Sequence, residues 1–426
     1  MAIAIAACHV WGPAAYPAEP TKFERDRARM MLNVIKKDLI KYYYDETFHG
    51  RNLEEIFQAS MSRIDKAQTH TQLLTAVAMP VIELDDSHTT FIPPERSARF
   101  HFGWSMQPIG DQVFITAVQE GSDAEAKGVK RGDRVLTFND GTISRETLWD
   151  LYYAHRVLVP SAKIPLLLQS PGEDPRRIEV AARVEEGKVI VDPLSPFDRG
   201  DFRRAMEEEA HIARNRLIEL SEDVLIWRMP QFFLTDTDIR TAMNRIGKYG
   251  ALILDLRDNP GGAVETLERL AASFVEPGTK VGDVKSRQPI PKIVARKTGD
   301  RYEGRVVVLV DSWSASCSEM FARTMQISGR AKVIGDRTMG AVMMSQTYDH
   351  RMAGLVFSTS ITIADIIMPD GKSLEKVGVV PDVLLLPTAE DLAAGRDPVL
   401  AHAASLFGVS LDPEKAGSFF PVEWRR

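Results

Sequence analysis

The stretch Arg305-Val-Val-Val-Leu-Val-Asp-Ser-Trp-Ser-Ala-Ser-Cys-Ser-Glu-Met-Phe-Ala-Arg-Thr-Met-Gln-Ile327 decides the fold of this 426-residue chain. Its unbroken apolar run Val306–Val310 predicts a short strand in a sheet that is covered on both faces. The apolar residues after the serine cluster recur at helical spacing, and they are Met320, Phe321, Thr324, Met325 and Ile327. The stretch therefore predicts a strand, a tight turn and a helix.

The turn carries a cluster of serines, Ser312, Ser314, Ser316 and Ser318. A serine at a helix N-terminus faces unpaired N–H groups and the positive end of the helix dipole, which favour negative charge. A serine nucleophile needs this setting because its attack on a carbonyl creates an oxyanion. The alternative is that these serines only cap a helix, as serine commonly does.

Composition excludes several classes of protein. Hydrophobic content of 44% and charged content of 26% are ordinary for a soluble globular protein, and the length predicts two to four domains. A net charge of -6 with mixed signs argues against a nucleic-acid or anionic-membrane binder. No apolar run reaches the roughly 18 residues of a membrane span. The two cysteines, Cys8 and Cys317, predict neither a zinc site nor a disulfide.

The ends of the chain carry separate predictions. Residues 1–20 are apolar and Ala-rich, and the first basic residue is Lys22. We interpret them as a truncated signal of an exported, periplasmic protein, with a disordered leader of a cytoplasmic protein as the alternative. Residues 389–426 form a C-terminal tail with a helix at Leu392–Leu406, which we expect to pack on the core or on a partner subunit.

Residues 21–95 predict an N-terminal helical domain, since apolar stripes recur at helical spacing up to about Val77. The segment Asp86-Ser87-His88-Thr89 follows. A histidine between hydroxyl residues with carboxylates before it is a candidate general base, although a lone histidine is more often structural.

Residues 96–185 predict a small β-rich domain, with a strand and hairpin turn over Gly132–Gly141. The pattern Gly128-x-x-x-Gly132-Asp133-x-Val135, together with Phe102-Gly103-Trp104, resembles a PDZ domain. The resemblance implies a groove that takes an extended peptide as an added strand. Backbone amides near Phe102, Gly103 and Trp104 would hold the peptide's terminal carboxylate.

Residues 186–388 predict a second sheet-forming region, with strands at Val224–Met229 and Ala251–Arg257 and a charged helix at Arg203–Leu220. The second strand ends in Asp258-Asn259-Pro260-Gly261-Gly262. A Gly-Gly turn before a helix lets backbone N–H groups approach a ligand closely, which suits an oxyanion hole or a phosphate. The absence of Gly-Lys-Ser/Thr excludes a Walker-type loop.

These segments occur in one order along residues 25–388. The set is Asp86-Ser87-His88-Thr89, the PDZ-like module, Asp255-Leu256-Arg257-Asp258-Asn259-Pro260-Gly261-Gly262, Ser314-Ala315-Ser316-Cys317-Ser318-Glu319, Gly335-Asp336-Arg337-Thr338-Met339-Gly340 and Glu375-Lys376-Val377-Gly378-Val379-Val380-Pro381-Asp382-Val383. It resembles the carboxyl-terminal processing (tail-specific) serine protease family, in its tricorn-like branch. The resemblance implies a multidomain fold of the α+β and α/β classes: an N-terminal helical region, a PDZ-like β domain and a ClpP/crotonase-like α/β protease core.

The resemblance also implies roles for individual residues. The nucleophile of the family falls on Ser316, and the oxyanion hole on the amide of Cys317 with that of Gly261 or Gly262. One branch of the family has a lysine base where this chain has Ala341. The tricorn-like branch uses an adjacent Ser-His pair and a distant Glu, which fall on Ser87, His88 and Glu375.

The function implied is a serine endopeptidase that cleaves unfolded or C-terminally presented polypeptides through an acyl-enzyme. It needs no metal or organic cofactor and no nucleic acid, and an oligomer is compatible with the sequence. An inactive binding protein is an alternative, because Ala341 stands where one branch of the family has its lysine base. The fold also resembles the ligand-holding repeats of interphotoreceptor retinoid-binding protein. A PDZ-centred peptide-binding scaffold is a third reading. Cys317 as the nucleophile is a weaker idea, because no base is visible beside it.

Overall fold

The computed structural model describes residues 19–94, 98–186, 213–297, 299–352 and 355–424. Residues 1–18 of the predicted leader and residues 203–212 of the predicted charged helix lie outside these ranges. No helix within them is long and apolar enough to cross a membrane.

Helices occur along the whole of the described chain, from Lys22 to Ser418. The α-helices of the described ranges are α1 (Lys22–Tyr42), α2 (Leu53–Lys66), α3 (His70–Ile82), α4 (Asp123–Ala126), α5 (Leu148–Tyr152), α6 (Asp236–Ile246), α7 (Val264–Ala272), α8 (Cys317–Ile327), α9 (Ala389–Ala394), α10 (Pro398–Ser405) and α11 (Pro413–Ser418). A π-helical turn, Tyr153–Leu158, continues α5, and a 3₁₀ turn spans Phe48–Gly50.

The strands form separate sheets. The first half of the chain contributes β1 (Thr90–Ile92), β2 (Ala98–His101), β3 (Trp104–Ile109), β4 (Gln112–Val118), β5 (Arg134–Phe138), β6 (Gly141–Thr142), β7 (Lys163–Gln169), β8 (Arg176–Ala181) and β9 (Arg183–Glu186). The second half contributes β10 (Arg216–Glu219), β11 (Val224–Arg228), β12 (Ala251–Asp255), β13 (Lys280–Ser286), β14 (Ile293–Val294), β15 (Arg305–Val310), β16 (Lys332–Gly335), β17 (Met343–Met352), β18 (Leu355–Ile367) and β19 (Val383–Leu384).

The N-terminal helices α1, α2 and α3 pack on one another around a continuous apolar cluster. Helix α1 begins with a capping box in which Thr21 and Glu24 satisfy each other's backbone amides. After α3 the chain enters β1, which pairs antiparallel with β18 in the register Phe91↔Thr359. The Ser87-His88 segment therefore lies between a helix and a strand that is shared with a distant part of the chain.

Residues 98–186 contain a six-stranded sheet in the order β3-β4-β5-β7-β8, with β6 paired to β5. The predicted hairpin turn is confirmed at Asn139 and Asp140, whose φ angles of 49° and 61° are typical of a tight hairpin. Among the described strands, β3 lies at the end of this sheet and pairs with β4 alone. We call residues 98–186 the β-rich module.

The largest apolar core surrounds a six-stranded sheet in the order β10-β11-β12-β15-β16-β19. Strands β11, β12, β15, β16 and β19 run parallel, and the strands predicted at 224–229, 251–257 and 306–310 are confirmed. One face packs against α6, α7 and α8, and the other against α10 and α11. Both faces are apolar and buried, which explains the unbroken Val306–Val310 run.

One predicted helix is wrong where the structure describes it. Residues Arg216–Glu219 form β10, which pairs antiparallel with β11 in the register Leu217↔Trp227. A charged amphipathic pattern favoured a helix over Arg203–Leu220. Pairing with the open edge of β11 overrides that local preference.

The C-terminal tail packs on the core sheet through α10 and α11. The single helix predicted over Leu392–Leu406 is divided into α9 and α10, because Gly395 adopts a left-handed conformation (φ 70°) and Pro398 starts the next helix. The tail is fixed by Asp397, which accepts hydrogen bonds of 3.0 and 2.8 Å from the Arg257 guanidinium.

Arg257 is shared between this tail and the core strand. It also donates to the fully buried Asp255 at 2.9 and 2.8 Å. Burial alone would raise the pKa of Asp255, but the guanidinium groups of Arg257 and Arg228 hold it at about 2. The cluster thus contributes stability above pH 4, which is lost as the pH falls toward 2.

We expect Asp397→Ala to lower the free energy of unfolding by about 3 kcal/mol, because it removes a partner of Arg257 and the N-cap of α10. The matched control is Asp412→Ala, which removes the exposed N-cap of α11 and no ion pair of the described residues, and should cost about 1 kcal/mol. Urea denaturation followed by circular dichroism measures both. Equal losses of unfolding free energy in the two variants would show that the contact between Asp397 and Arg257 contributes no stability.

Candidate active site

Ser316 lies where the strand β15 turns into helix α8, at the carboxyl edge of the parallel sheet. Its backbone has φ 55° and ψ -121°, a conformation that non-glycine residues rarely adopt. The other serines of the cluster are buried, and Ser312 and Ser314 donate their hydroxyls to the carbonyls of Pro108 (2.5 Å) and Leu256 (2.8 Å). Ser316 alone of the cluster is partly exposed.

A buried carboxylate, Glu319, holds this strained turn. It accepts hydrogen bonds from the amides of Ser316 (3.0 Å), Gly340 (2.8 Å) and Ala341 (2.9 Å), and from the Thr338 hydroxyl (2.5 Å). Burial raises the pKa of Glu319 to about 7, although these donors oppose the shift. The segment Ser316-Cys317-Ser318-Glu319 therefore includes the carboxylate that fixes the turn at Ser316.

The Gly-Gly turn lies directly against Ser316. An added Cβ at Gly261 would sit 2.6 Å from the Ser316 Cβ and 2.9 Å from the Cys317 nitrogen, and the φ of Gly261 is +94°. The Gly261 amide donates to the Asn259 side chain at 2.9 Å. Within the described chain, the amides of Gly262 and Cys317 have no recorded acceptor. Two N–H groups of the residues next to Gly261 and Ser316 are thus without an acceptor there.

Cys317 is not suited to be a nucleophile. Its thiol is buried, donates to the Gly262 carbonyl at 3.2 Å, and burial raises its pKa to about 12. The thiolate is the reactive form of cysteine, so this thiol is inert.

Ser87, His88 and Glu375 form one hydrogen-bonded chain. The Ser87 hydroxyl donates to Glu375 Oε2 at 2.8 Å and lies 2.7 Å from His88 Nδ1, and the Ser87 amide donates to Glu375 Oε1 at 2.9 Å. Because the Ser87 proton points to the carboxylate, the Ser87 oxygen accepts from His88, and Nδ1 carries the ring proton. The lone pair of a neutral His88 is then on Nε2.

Burial lowers the pKa of His88 below its usual value, and the Asp86 carboxylate opposes this shift. Burial raises the pKa of Glu375, and the hydrogen bonds from Ser87 and from the Val342 amide oppose it. Asp86 Oδ1 accepts from the amides of His88 (2.9 Å) and Thr89 (2.7 Å), so it also fixes the backbone of the histidine. The surroundings favour a neutral imidazole at neutral pH.

One peptide group joins the two halves of the site. The carbonyl of Ala341 accepts from the Ser316 amide at 2.9 Å. The N–H of the same peptide group, on Val342, donates to Glu375 Oε2 at 2.9 Å. The backbone at Ala341 thus links Ser316 to Glu375. No hydrogen bond joins the Ser316 hydroxyl to the His88 ring in the part of the chain that the structure describes.

The residues predicted to hold a peptide lie in the β-rich module. The side chains of Phe102 and Trp104 are buried in its core, and Gly103 has a φ of +71° and accepts from the Gln119 amide at 2.8 Å. Sequence reasoning missed Arg156, whose guanidinium lies over the rings of Phe102 and Trp104. In the sequence, the only sign that Arg156 differs from a surface arginine is its position in an apolar helical segment.

The sequence of the core matches a known family. Residues 223–385 match the model of peptidase family S41. A carboxyl-terminal-processing protease of Picosynechococcus is 26% identical over 80% of this chain and 79% of its own length. The chain is a serine peptidase whose core is similar to peptidase family S41.

Further relatives agree with this assignment. A probable CtpA-like serine protease of Staphylococcus aureus is 23% identical over 78% of this chain, and the match spans 64% of that protein. The fold of this peptidase is similar to that of mature CPAF, with a TM-score of 0.66, 15% identity, and 87% and 95% of the two chains covered. The photosystem II D1 C-terminal processing protease gives a TM-score of 0.53 at 20% identity, covering 85% and 94%.

We expect Gly261→Ala to lower kcat/KM on an unfolded protein at least about hundredfold, because the new methyl would displace Ser316 or Cys317. The matched control is Gly278→Ala, at a similar φ of +87° but with nothing within 4 Å of the added Cβ, so it carries the backbone strain alone. Steady-state cleavage measures both. Equal activity of the two variants would contradict the role of this close approach.

Proposed function

We propose that this peptidase cleaves unfolded or C-terminally presented polypeptides with Ser316 as nucleophile and His88 as general base. The observation that carries the proposal is the Glu375–Ser87–His88 chain and its link through the Ala341–Val342 peptide group to Ser316. This arrangement supports the tricorn-like branch, in which a Ser-His pair and a Glu stand in place of a lysine base.

In the proposed mechanism, Ser316 Oγ attacks the scissile carbonyl and its proton passes to His88 Nε2. The Ser87 oxygen accepts from Nδ1–H, and the Glu375 carboxylate orients Ser87, so the relay stabilises the imidazolium as it forms. The imidazolium then protonates the leaving amine, the peptide bond breaks, and the acyl-enzyme remains. Water, deprotonated by His88, hydrolyses the ester and restores Ser316.

The amides of Gly262 and Cys317 are the proposed oxyanion hole. Neither amide has an acceptor among the described residues, and each adjoins a residue of the Gly261–Ser316 contact. Gly261 itself donates to Asn259 and contributes by its lack of a side chain. Cys317 is the first residue of α8, so its amide also carries the positive end of the helix dipole. Charge that develops on the carbonyl oxygen meets fixed donors there.

The His88 ring must approach Ser316 for the first proton transfer. Catalytic hydrogen bonds often tighten only when substrate is bound, so an open geometry is compatible with this role. The comparisons do not favour an inactive ligand-binding protein. Labelling of Ser316 by a fluorophosphonate would exclude such a protein directly. Export and a C-terminal specificity are part of the proposal as well.

We expect Ser316→Ala and His88→Ala each to lower the rate of casein cleavage at least about 10³-fold, because either change removes the acyl-transfer step. The matched control is Ser318→Ala, in the same motif, whose buried hydroxyl makes no hydrogen bond in the described chain. It should retain most activity. Full activity in Ser316→Ala would contradict this mechanism.

The pH profile tests the charge environment of the base. Activity requires neutral His88, so kcat/KM should fall as the pH falls through its pKa, with a midpoint below the ordinary 6.5. Asp86→Asn removes the carboxylate that opposes the shift, so the midpoint should move to still lower pH.

Asp85→Asn is the control for this profile, because Asp85 is exposed and pairs with Lys376. It should leave the midpoint unchanged. A midpoint that rises in Asp86→Asn would contradict the assignment of His88 as the titrating base.

A further inference from the structure

The segment that carries His88 is held by a buried hydroxyl on strand β18. Thr362 Oγ1 donates to Asp86 Oδ1 at 2.7 Å, although the two residues are 276 positions apart in the sequence. The same carboxylate oxygen accepts from the amides of His88 and Thr89. Of these three donors in the described chain, Thr362 alone comes from outside residues 86–89. It therefore ties a local turn to the sheet.

Thr362 and Thr89 are also hydrogen-bonded to each other. The Thr362 amide donates to Thr89 Oγ1 at 3.1 Å, and the Thr89 hydroxyl donates to Thr362 Oγ1 at 3.0 Å. The Thr362 hydroxyl then gives its own proton to Asp86. Each donor in such a chain strengthens the next, and this chain ends at the carboxylate that fixes the His88 backbone. Thr362 is 0% exposed and Thr89 3%, so solvent does not replace these bonds.

An irregularity of strand β18 lies directly after Thr362. The register passes from Ser345↔Thr362 to Met344↔Ala364, which leaves Ile363 without a partner on β17, as in a β-bulge. Bulges often occur next to active sites, where they re-aim a side chain. This local break in the pairing accompanies the contact of Thr362 with the segment of the histidine.

The chain that forms β18 supports His88 from two sides. Glu375, which follows this strand, binds the Ser87 hydroxyl, and Ser87 contacts the His88 ring at Nδ1. Thr362, within the strand, holds the His88 backbone through Asp86. Glu375 thus orients the ring, whereas Thr362 fixes where the residue stands. Both matter for proton transfer, because a misplacement of about 1 Å can cost about hundredfold in rate.

We propose that Thr362 is a positioning residue for the reaction, which sets the place of the His88 ring relative to Ser316 through the Asp86 carboxylate. This inference rests on the proposed function, since it takes His88 as the base. Thr362 acts through Asp86 and His88 and not on the reacting atoms. Its loss should lower kcat and leave KM unchanged, because the transfer of the proton depends on the ring position and the binding of the polypeptide does not.

The test compares side chains at position 362 in the full chain, with steady-state cleavage of casein as the assay. Thr362→Val keeps the branched shape and removes the hydroxyl, so kcat should fall at least about tenfold while KM stays within about twofold. Thr362→Ser restores the hydroxyl and should recover most of kcat. Labelling of Ser316 by a fluorophosphonate should slow in Thr362→Val and reach the same final extent, because labelling needs the base and no bound polypeptide.

The matched control is Thr359→Val, on the same strand. Thr359 is also 0% exposed, but its hydroxyl makes no hydrogen bond in the described chain. The change removes a buried threonine hydroxyl and leaves the bonds of Asp86 in place, so kcat should stay within about twofold. Circular dichroism checks that each variant is folded. If Thr362→Val is not, Thr362→Cys decides the question: its thiol is a weaker donor, and kcat should lie at least about threefold below that of Thr362→Ser.

Three results would overturn the inference: an unchanged kcat in folded Thr362→Val, a loss of kcat that Thr359→Val shares, or a loss that Thr362→Ser does not recover, which would assign the effect to packing. A rise in KM at constant kcat would contradict it as well. Its failure is distinct from that of the proposed function. Full activity in His88→Ala would remove the base itself, whereas a dispensable Thr362 beside an essential His88 would leave the mechanism intact.

Discussion

The carboxylate of Glu375 is the contact on which the candidate site depends. It accepts from the amide and hydroxyl of Ser87, 288 residues away in the sequence, and from the amide of Val342. The two carboxylate oxygens of Glu375 thus hold the segment that carries His88 against the backbone that binds Ser316. Without it, the His88 segment would be held by the β1–β18 pairing and by the bonds of Thr362 to Asp86 and Thr89. Two carboxylates, the partly buried Glu375 and the buried Glu319, therefore order this site.

Ala341 occupies the position where the resemblance implies a lysine in one branch of the family. Here the side chain is a methyl group, and the peptide group after it connects Ser316 to Glu375. The backbone cannot titrate, so the proposed mechanism assigns the proton of Ser316 to His88, whose Nδ1 is hydrogen-bonded to Ser87.

The β-rich module contacts the turn that carries Ser316. Gln107 of β3 donates to Asp311 at 2.6 Å, and Asp311 also accepts from the amides of Trp313 (3.0 Å) and Ser314 (3.1 Å). On the other side, Arg145 reaches the Arg337 carbonyl at 2.8 Å and pairs with Asp336. Strand β3 therefore lies against residues that shape the Ser316 turn.

The sequence by itself determined the local elements: the parallel strands before the Gly-Gly and serine turns, the helix after Ser316, and the resemblance that assigned roles to Ser316, Ser87, His88 and Glu375. Periodicity and turn chemistry are local properties, so the chain reveals them directly. The strand at Arg216–Glu219 was decided by tertiary pairing, whereas the break at Gly395 comes from a local glycine cap and from Pro398. Only the folded chain could show that the peptide group after Ala341 joins Ser316 to Glu375 and that Arg156 forms no ion pair with a carboxylate of the described ranges. Both depend on residues far apart in sequence, for which spacing along the chain carries no signal. The bond from the Gly261 amide to Asn259 is local, but the spacing did not tell which of the two glycine amides makes such a bond.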